Sequence, residues 1–202
     1  MRTKIRRQAR RMKIIVYQET LFDYKEHLWT FLGAFVGIGI IGLLNRHRLP
    51  TDAPLLIGSF GASSVLVYGV INSPLAQPRN LLGGHVLSAF IGVTLYRCMP
   101  QELWLAAALA VSLSIVGMQI TKTLHPPGGA TALIAVIGSP QLKALGYSYV
   151  FMPVLSGAVV LLLVALVFNN LSPTRHYPTN KHWYRIWQRR YYVKALRRLT
   201  NS

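Results

Sequence analysis

From Leu28 to Phe168 the chain repeats one theme: long apolar runs interrupted by short stretches rich in Pro and Gly, with no Asp or Glu inside any run. About 20 apolar residues are enough to cross a bilayer as a helix. Hydrocarbon offers no hydrogen bonds, so any segment placed there must satisfy its own backbone, which a helix does. The chain therefore reads as an all-α, polytopic membrane protein. A membrane domain with short flanks accounts for the 202 residues, 52% of them hydrophobic.

Six apolar segments are expected: spans over 28–44, 81–99, 103–120 and 150–168, and two middle segments, 53–71 and one reaching Ile137, that either cross, making six spans, or dip in and return, leaving four. This divides the chain into a basic interfacial segment (1–27), a transmembrane domain (28–170) and a basic aromatic tail (171–202). Of 22 Lys and Arg, seven lie between Arg2 and Lys13 and eight between Arg175 and Arg198. Such flanks stay cytoplasmic and attract anionic lipid headgroups, so both termini are expected on the cytoplasmic side and the crossings should be even in number. The net charge of +17 is thereby explained by lipid, and no nucleic-acid partner is expected. Cys98 is alone, which excludes an internal disulfide and a cysteine-built metal site. Gly33 and Gly37 in the first span, four residues apart, read as bundle packing.

The interruption that matters most is Lys122-Thr123-Leu124-His125-Pro126-Pro127-Gly128-Gly129. Two prolines remove two backbone donors, and the residue before a proline is pushed toward extended geometry. Helix must stop near His125 and can restart after the glycines. Such a break either lines a protein-enclosed site within the membrane or makes a tight turn at its surface.

A similar stretch occurs earlier. Gly61-Ala62-Ser63-Ser64 lines up with Gly129-Ala130-Thr131-Ala132, and Asn72-Ser73-Pro74-Leu75 with Gly138-Ser139-Pro140-Gln141. The chain thus reads as two three-segment repeats, 28–99 and 103–168, each with a broken or re-entrant central helix. Interrupted segments at matching positions in two repeats point to a transporter with its site near the midplane.

Helices beginning just after Gly61 and Gly129 would present unpaired N–H groups and a positive dipole end, a ready anion site. The candidate substrate-binding residues are therefore Gly58, Ser59, Phe60, Gly61, Ala62, Ser63, His85, His125, Pro126, Pro127, Gly128, Gly129, Ala130 and Thr131. A cation carrier would call for an intramembrane carboxylate, so the inventory favours a small inorganic anion. Each candidate also has a plainer reading: His125 capping backbone left over by the prolines, His85 as a packing residue, Lys122 and Arg79 reaching for headgroups. Two histidines without carboxylates or thiols make no metal site, no cofactor is implied, and no catalytic constellation appears.

These stretches, together with Ile57 to Ser64, Ser73 to Asn80, Gly83-Gly84-His85, Asn169-Asn170, Tyr177-Pro178 and Trp183, make the sequence resemble the HPP family of integral membrane proteins, named for residues 125–127 here. The resemblance implies a small membrane transporter, with nitrite or nitrate as first choices, in a bacterial inner membrane. Some bacterial relatives add a soluble regulatory domain, and the family is usually drawn with four spans. A chain of this size hardly encloses a wide pore alone, which leaves room for a homo-oligomer. The alternative is a non-transporting scaffold that recruits lipids or partners through its basic tails.

Overall fold

A computed structural model describes residues 24–45 and 53–179. Most of the basic interfacial segment, residues 46–52 and most of the basic aromatic tail lie outside the described residues. Among the described residues every regular element is helical. Helix α1 spans Tyr24–Asn45 and α2 spans Ala53–Ser64, continued by a wide turn over Val65–Gly69. A short turn, Pro74–Ala76, leads into α3, Pro78–Cys98. Then follow α4 (Leu103–Thr121), α5 (Pro127–Ile137), α6 (Pro140–Ala144), an irregular turn at Val150–Leu155, and α7 (Ser156–Leu171).

Four of these stretches are long and apolar enough to cross a membrane: Tyr24–Leu44, Pro78–Cys98, Leu103–Thr121 and Val150–Leu171. The element order is long, short, long, and then long, short, long again. Large apolar side chains such as Phe31, Phe35, Trp104, Ile120, Phe151 and Leu163 are exposed on the outside, which suits lipid and not water.

Several boundaries differ from the sequence reading. The third apolar segment begins at Pro78 and not at Leu81, because Pro78 opens the helix instead of stopping it; a proline at the first helical position loses a donor that would be unpaired anyway. Between the apolar stretch that ends at Ile137 and the last span, the chain holds the five-residue helix α6. Pro153 and extended Met152 (φ −130, ψ 117) bend the chain before α7, so the last span is not straight. The paired Ser-Pro motifs behave alike: Ser73 accepts from Leu75 N at 3.2 Å and Ser139 from Leu142 N at 3.3 Å, each capping a short proline-led turn.

Glu26, near the start of α1, ion-pairs with Arg175, just after α7. Both flanks of the described bundle therefore leave from one end. The Gly33–Gly37 face packs on an aromatic ring and not on another backbone: a Cβ at Gly37 would lie 2.4 Å from the Tyr68 hydroxyl, and at Gly33 2.8 Å from its ring. Tyr68 in turn donates to Leu161 O at 3.1 Å, locking the wide turn between α1 and α7.

Candidate functional site

The polar centre is built where the helices are interrupted. Helix α4 closes with Thr123 N donating to Met118 O (2.9 Å) and Lys122 N to Gln119 O (3.2 Å), with Lys122 left-handed at φ 56. That double closure turns the chain out of the helix. Pro126 then keeps His125 from re-entering it. The carbonyls freed at this helix end find partners at the start of α3: Arg79 Nη2 donates to Thr121 O at 2.6 Å and Asn80 Nδ2 to Leu124 O at 2.8 Å. Arg79 thus puts its positive charge at the negative end of α4.

The expected bare amides are not there. Helix α5 begins at Pro127, whose ring carries no N–H; Gly128 N is bonded to His125 O at 2.8 Å and Gly129 N to Pro126 O at 3.0 Å. In the first repeat α2 runs straight through Gly61 and loses regularity only after Ser64. The physical reason is the same in both places. Backbone within a membrane bundle closes its own hydrogen bonds wherever it can, and glycine permits a break without requiring one.

Side chains, not amides, form the centre. His85 and His125 are both fully buried, their rings 5.0 Å apart and edge to face. Ser63 Oγ lies between them, 2.7 Å from His85 Nε2 and 2.9 Å from His125 Nε2. On its other edge His85 Nδ1 meets Thr131 Oγ1 at 2.7 Å, and Thr131 meets Ser59 Oγ at 2.7 Å. Ser63 and Thr131 are the residues that the two repeats align, and they hold the two nitrogens of one imidazole. His125 Nδ1 points the other way and donates to Leu75 O at 2.9 Å. Phe60 covers His85 with ring centroids 5.3 Å apart, and Gly157 leaves the space for it, since a Cβ there would lie 2.4 Å from the Phe60 ring.

Close helix approach makes the pocket for His125. A Cβ on Gly84 would sit 2.5 Å from His125 Cβ, and one on Gly128 2.9 Å from Gly84 O. Of the candidate residues, Ser59, Phe60, Ser63, His85, His125, Pro127, Gly128, Gly129 and Thr131 are buried in or around this centre. Gly58, Ala62, Pro126 and Ala130 are exposed on the outer surface, and Gly61 is half-buried. Among the described residues no group of His, Cys, Asp or Glu side chains is placed to hold a metal.

This geometry falls within a stretch, residues 19–178, that matches the model of the HPP transmembrane region. The chain belongs to the HPP family. It is 49% identical over 160 residues to a transmembrane protein of Dictyostelium discoideum, which covers 77% of this chain and 56% of that protein. A second Dictyostelium transmembrane protein is 47% identical over 162 residues, covering 77% of this chain and 51% of its own length. The chain thus spans about half the length of the curated relatives it matches. No solved structure matches.

A second polar cluster in this HPP-family chain lay hidden from sequence reasoning. Arg175, assigned there to the basic tail, is only 5% exposed. Its Nε pairs with Glu26 Oε2, Nη2 donates to Glu26 O and Thr30 Oγ1 (both 2.7 Å), and Nη1 donates to Tyr68 O (3.2 Å) and Asn169 Oδ1 (3.3 Å). All five guanidinium N–H groups are used. Asn169 Nδ2 takes Val67 O at 2.9 Å, so the carbonyl end of the α2 unit faces a cation and an amide. Next to it Tyr177 donates to Ala76 O at 2.7 Å, and Gln77 Oε1 accepts from Thr179 N at 3.0 Å. Burial pushes the Tyr177 phenol above its ordinary range, which keeps the proton it donates. These contacts hold from outside the loop whose Leu75 carbonyl receives His125 from inside. The motifs Asn169-Asn170 and Tyr177-Pro178 were the available signal; what the sequence did not reveal was that Arg175 folds inward between them.

Proposed function

We propose that this protein is a transporter or channel for a small monovalent anion, with nitrite and nitrate as first choices. The observation that carries the reading is the cluster of Ser59, Ser63, His85, His125 and Thr131, buried at the meeting of the two short helices inside the bundle. Polar and ionisable groups are expensive in a membrane, and where they persist they mark a transport route by default. The cluster is made of hydroxyl and imidazole donors. The described acids lie elsewhere: Glu26 on Arg175, and Glu102 on Trp104 Nε1 at 3.1 Å. That donor set fits an oxyanion better than a metal cation, which seeks oxygen ligands with negative charge.

With amides excluded, recognition falls to side chains. In the closed arrangement the donors satisfy one another, and an entering anion engages the hydroxyls at the Ser59 end of the cluster. Small planar anions suit such a site, because each oxygen can accept from a different donor.

The test is flux into proteoliposomes holding the full chain, with nitrite, nitrate, chloride and formate compared against protein-free vesicles. Saturable nitrite or nitrate entry that falls in a Ser63→Ala protein of unchanged abundance is expected. Absence of flux for all four anions above the vesicle baseline refutes the proposal.

A further inference from the structure

Resting on that reading of the site, we propose that the buried cluster is a one-way hydrogen-bonded relay that carries a proton together with the anion. Leu75 O is a carbonyl, so His125 Nδ1, 2.9 Å away, holds a hydrogen. The other nitrogen of a neutral His125 then accepts, and Ser63, at 2.9 Å, is its donor. The Ser63 hydroxyl has a single hydrogen. Giving it to His125 leaves its second contact, Ser59 O at 3.2 Å, unserved, and leaves its oxygen free to accept. His85 Nε2, 2.7 Å from that oxygen, must therefore donate, and His85 Nδ1 must accept from Thr131 at 2.7 Å. Thr131 is in turn placed to accept from Ser59 at 2.7 Å. One carbonyl thus fixes both tautomers and the sense of the bonds from Thr131 to His85 to Ser63 to His125 to Leu75 O, while the Ser59 hydroxyl at the entry end lies within reach of both Thr131 Oγ1 (2.7 Å) and Pro127 O (3.1 Å).

Such a chain conducts by shifting each hydrogen one bond along. A proton delivered to Thr131 Oγ1 pushes its own hydrogen to His85 Nδ1. His85 releases Nε2–H to Ser63, Ser63 passes its hydrogen to His125 Nε2, and His125 lets Nδ1–H go at the Leu75 loop. One proton enters, one leaves, and only O–H and N–H bonds change. Afterwards Leu75 O lacks its donor, which favours return of the original tautomers. The loop lies at the end of the bundle from which both flanks leave, since the neighbouring Ala76 and Gln77 are tied to Tyr177 and Thr179.

Charge is the reason for the coupling. An anion stripped of water in a low-dielectric site needs a countercharge. The titratable group that each histidine faces is the other histidine, with Phe60 against His85. Arg79 is engaged at Thr121 O, and Arg175 and Glu26 pair with each other beyond the loop. A proton arriving on the imidazoles supplies the missing positive charge and makes the travelling pair neutral.

Two measurements on the full chain decide the matter. The first is ¹⁵N-histidine NMR in nanodiscs, with His85→Gln and His125→Gln proteins assigning the signals. The relay requires His125 protonated at Nδ1 and His85 at Nε2; either opposite tautomer overturns it, whatever the protein transports. The second is an inward nitrate gradient across proteoliposomes with a trapped pH dye and a nitrate electrode. Nitrate entry with lumenal acidification is expected. Thr131→Val, which keeps the shape but not the hydroxyl, should lower proton entry roughly 10²-fold, the scale of losing one proton-transfer group, while Thr131→Ser retains it. Nitrate entry without a pH change, or a Thr131→Val protein that acidifies normally, overturns the relay and leaves anion transport standing. Absence of nitrate and nitrite flux in the unaltered protein defeats the transport reading and with it the coupled step.

Discussion

Gly128 and Gly129 adjoin in sequence and in the first turn of α5, yet they should respond oppositely to the same substitution. An alanine Cβ at Gly128 would lie 2.9 Å from the backbone oxygen of Gly84 and 2.8 Å from Ser88 Oγ. The serine can rotate away. The Gly84 carbonyl belongs to α3 and cannot. Ordinary contact begins at 3.4 Å, so α3 and α5 must part by the difference, 3.4 − 2.9 = 0.5 Å. Forcing one extra methyl into a packed interface costs about 1–3 kcal/mol. At Gly129 the nearest atom to a Cβ is Val111 Cγ1 at 3.8 Å, which is comfortable contact. Replacing glycine by alanine within a helix also gains about 0.5–1 kcal/mol. That gain is common to both positions, so the difference between the two variants isolates the steric term, about 1–3 kcal/mol. At about 2–4 °C per kcal/mol for a chain of this size, Gly128→Ala should melt roughly 2–12 °C below Gly129→Ala. Fluorescence-detected size exclusion after heating in one detergent gives the ranking. Equal midpoints, or Gly129→Ala as the weaker protein, would refute the claim that α3 and α5 meet backbone to backbone at this glycine.

Three further outcomes follow from the other contacts. Arg175→Gln should cost about 3 kcal/mol, because it removes the countercharge of Glu26 and leaves the Glu26 and Tyr68 carbonyls without its donors, and Arg175→Lys should rescue little of this, since an ammonium cannot match the planar fork; thermal midpoints of the two proteins check it, and a lysine variant as stable as the parent contradicts it. Gly37→Ala should lose about 1–3 kcal/mol by displacing the Tyr68 hydroxyl, whereas Gly39→Ala, with nothing within 4 Å of its Cβ, should match or exceed the parent in the same melt. Removing Lys181 to Ser202 should leave most anion flux intact while weakening the attraction to anionic lipid; loss of flux with normal membrane insertion would contradict a transport route confined to the bundle.

The fold was legible because hydrocarbon permits so few solutions: apolar runs without acids had to be helices, though the end of α2 at Ser64 was not legible, since neither Pro nor Gly marks it within 53–71. The site was legible in part. Ser59, Ser63, Thr131, His85 and His125 stood out as polar residues in apolar surroundings, and they converge. What misled was treating glycine as a helix start. Gly61 and Gly129 sit within helices, and the free amide ends they promised are closed by His125 O and Pro126 O in the second repeat. Arg175 was illegible for the opposite reason. In sequence it belongs to a run of basic residues whose ordinary fate is to meet headgroups, and only the fold brings Glu26, Thr30, Tyr68 and Asn169 around it. Local composition reports what a residue costs to bury, but not whether distant parts of the chain will supply its partners. That asymmetry explains why the histidine cluster, whose members sit in apolar runs or in the Pro-Gly break between them, could be read from sequence, while the clamp assembled from segment ends could not.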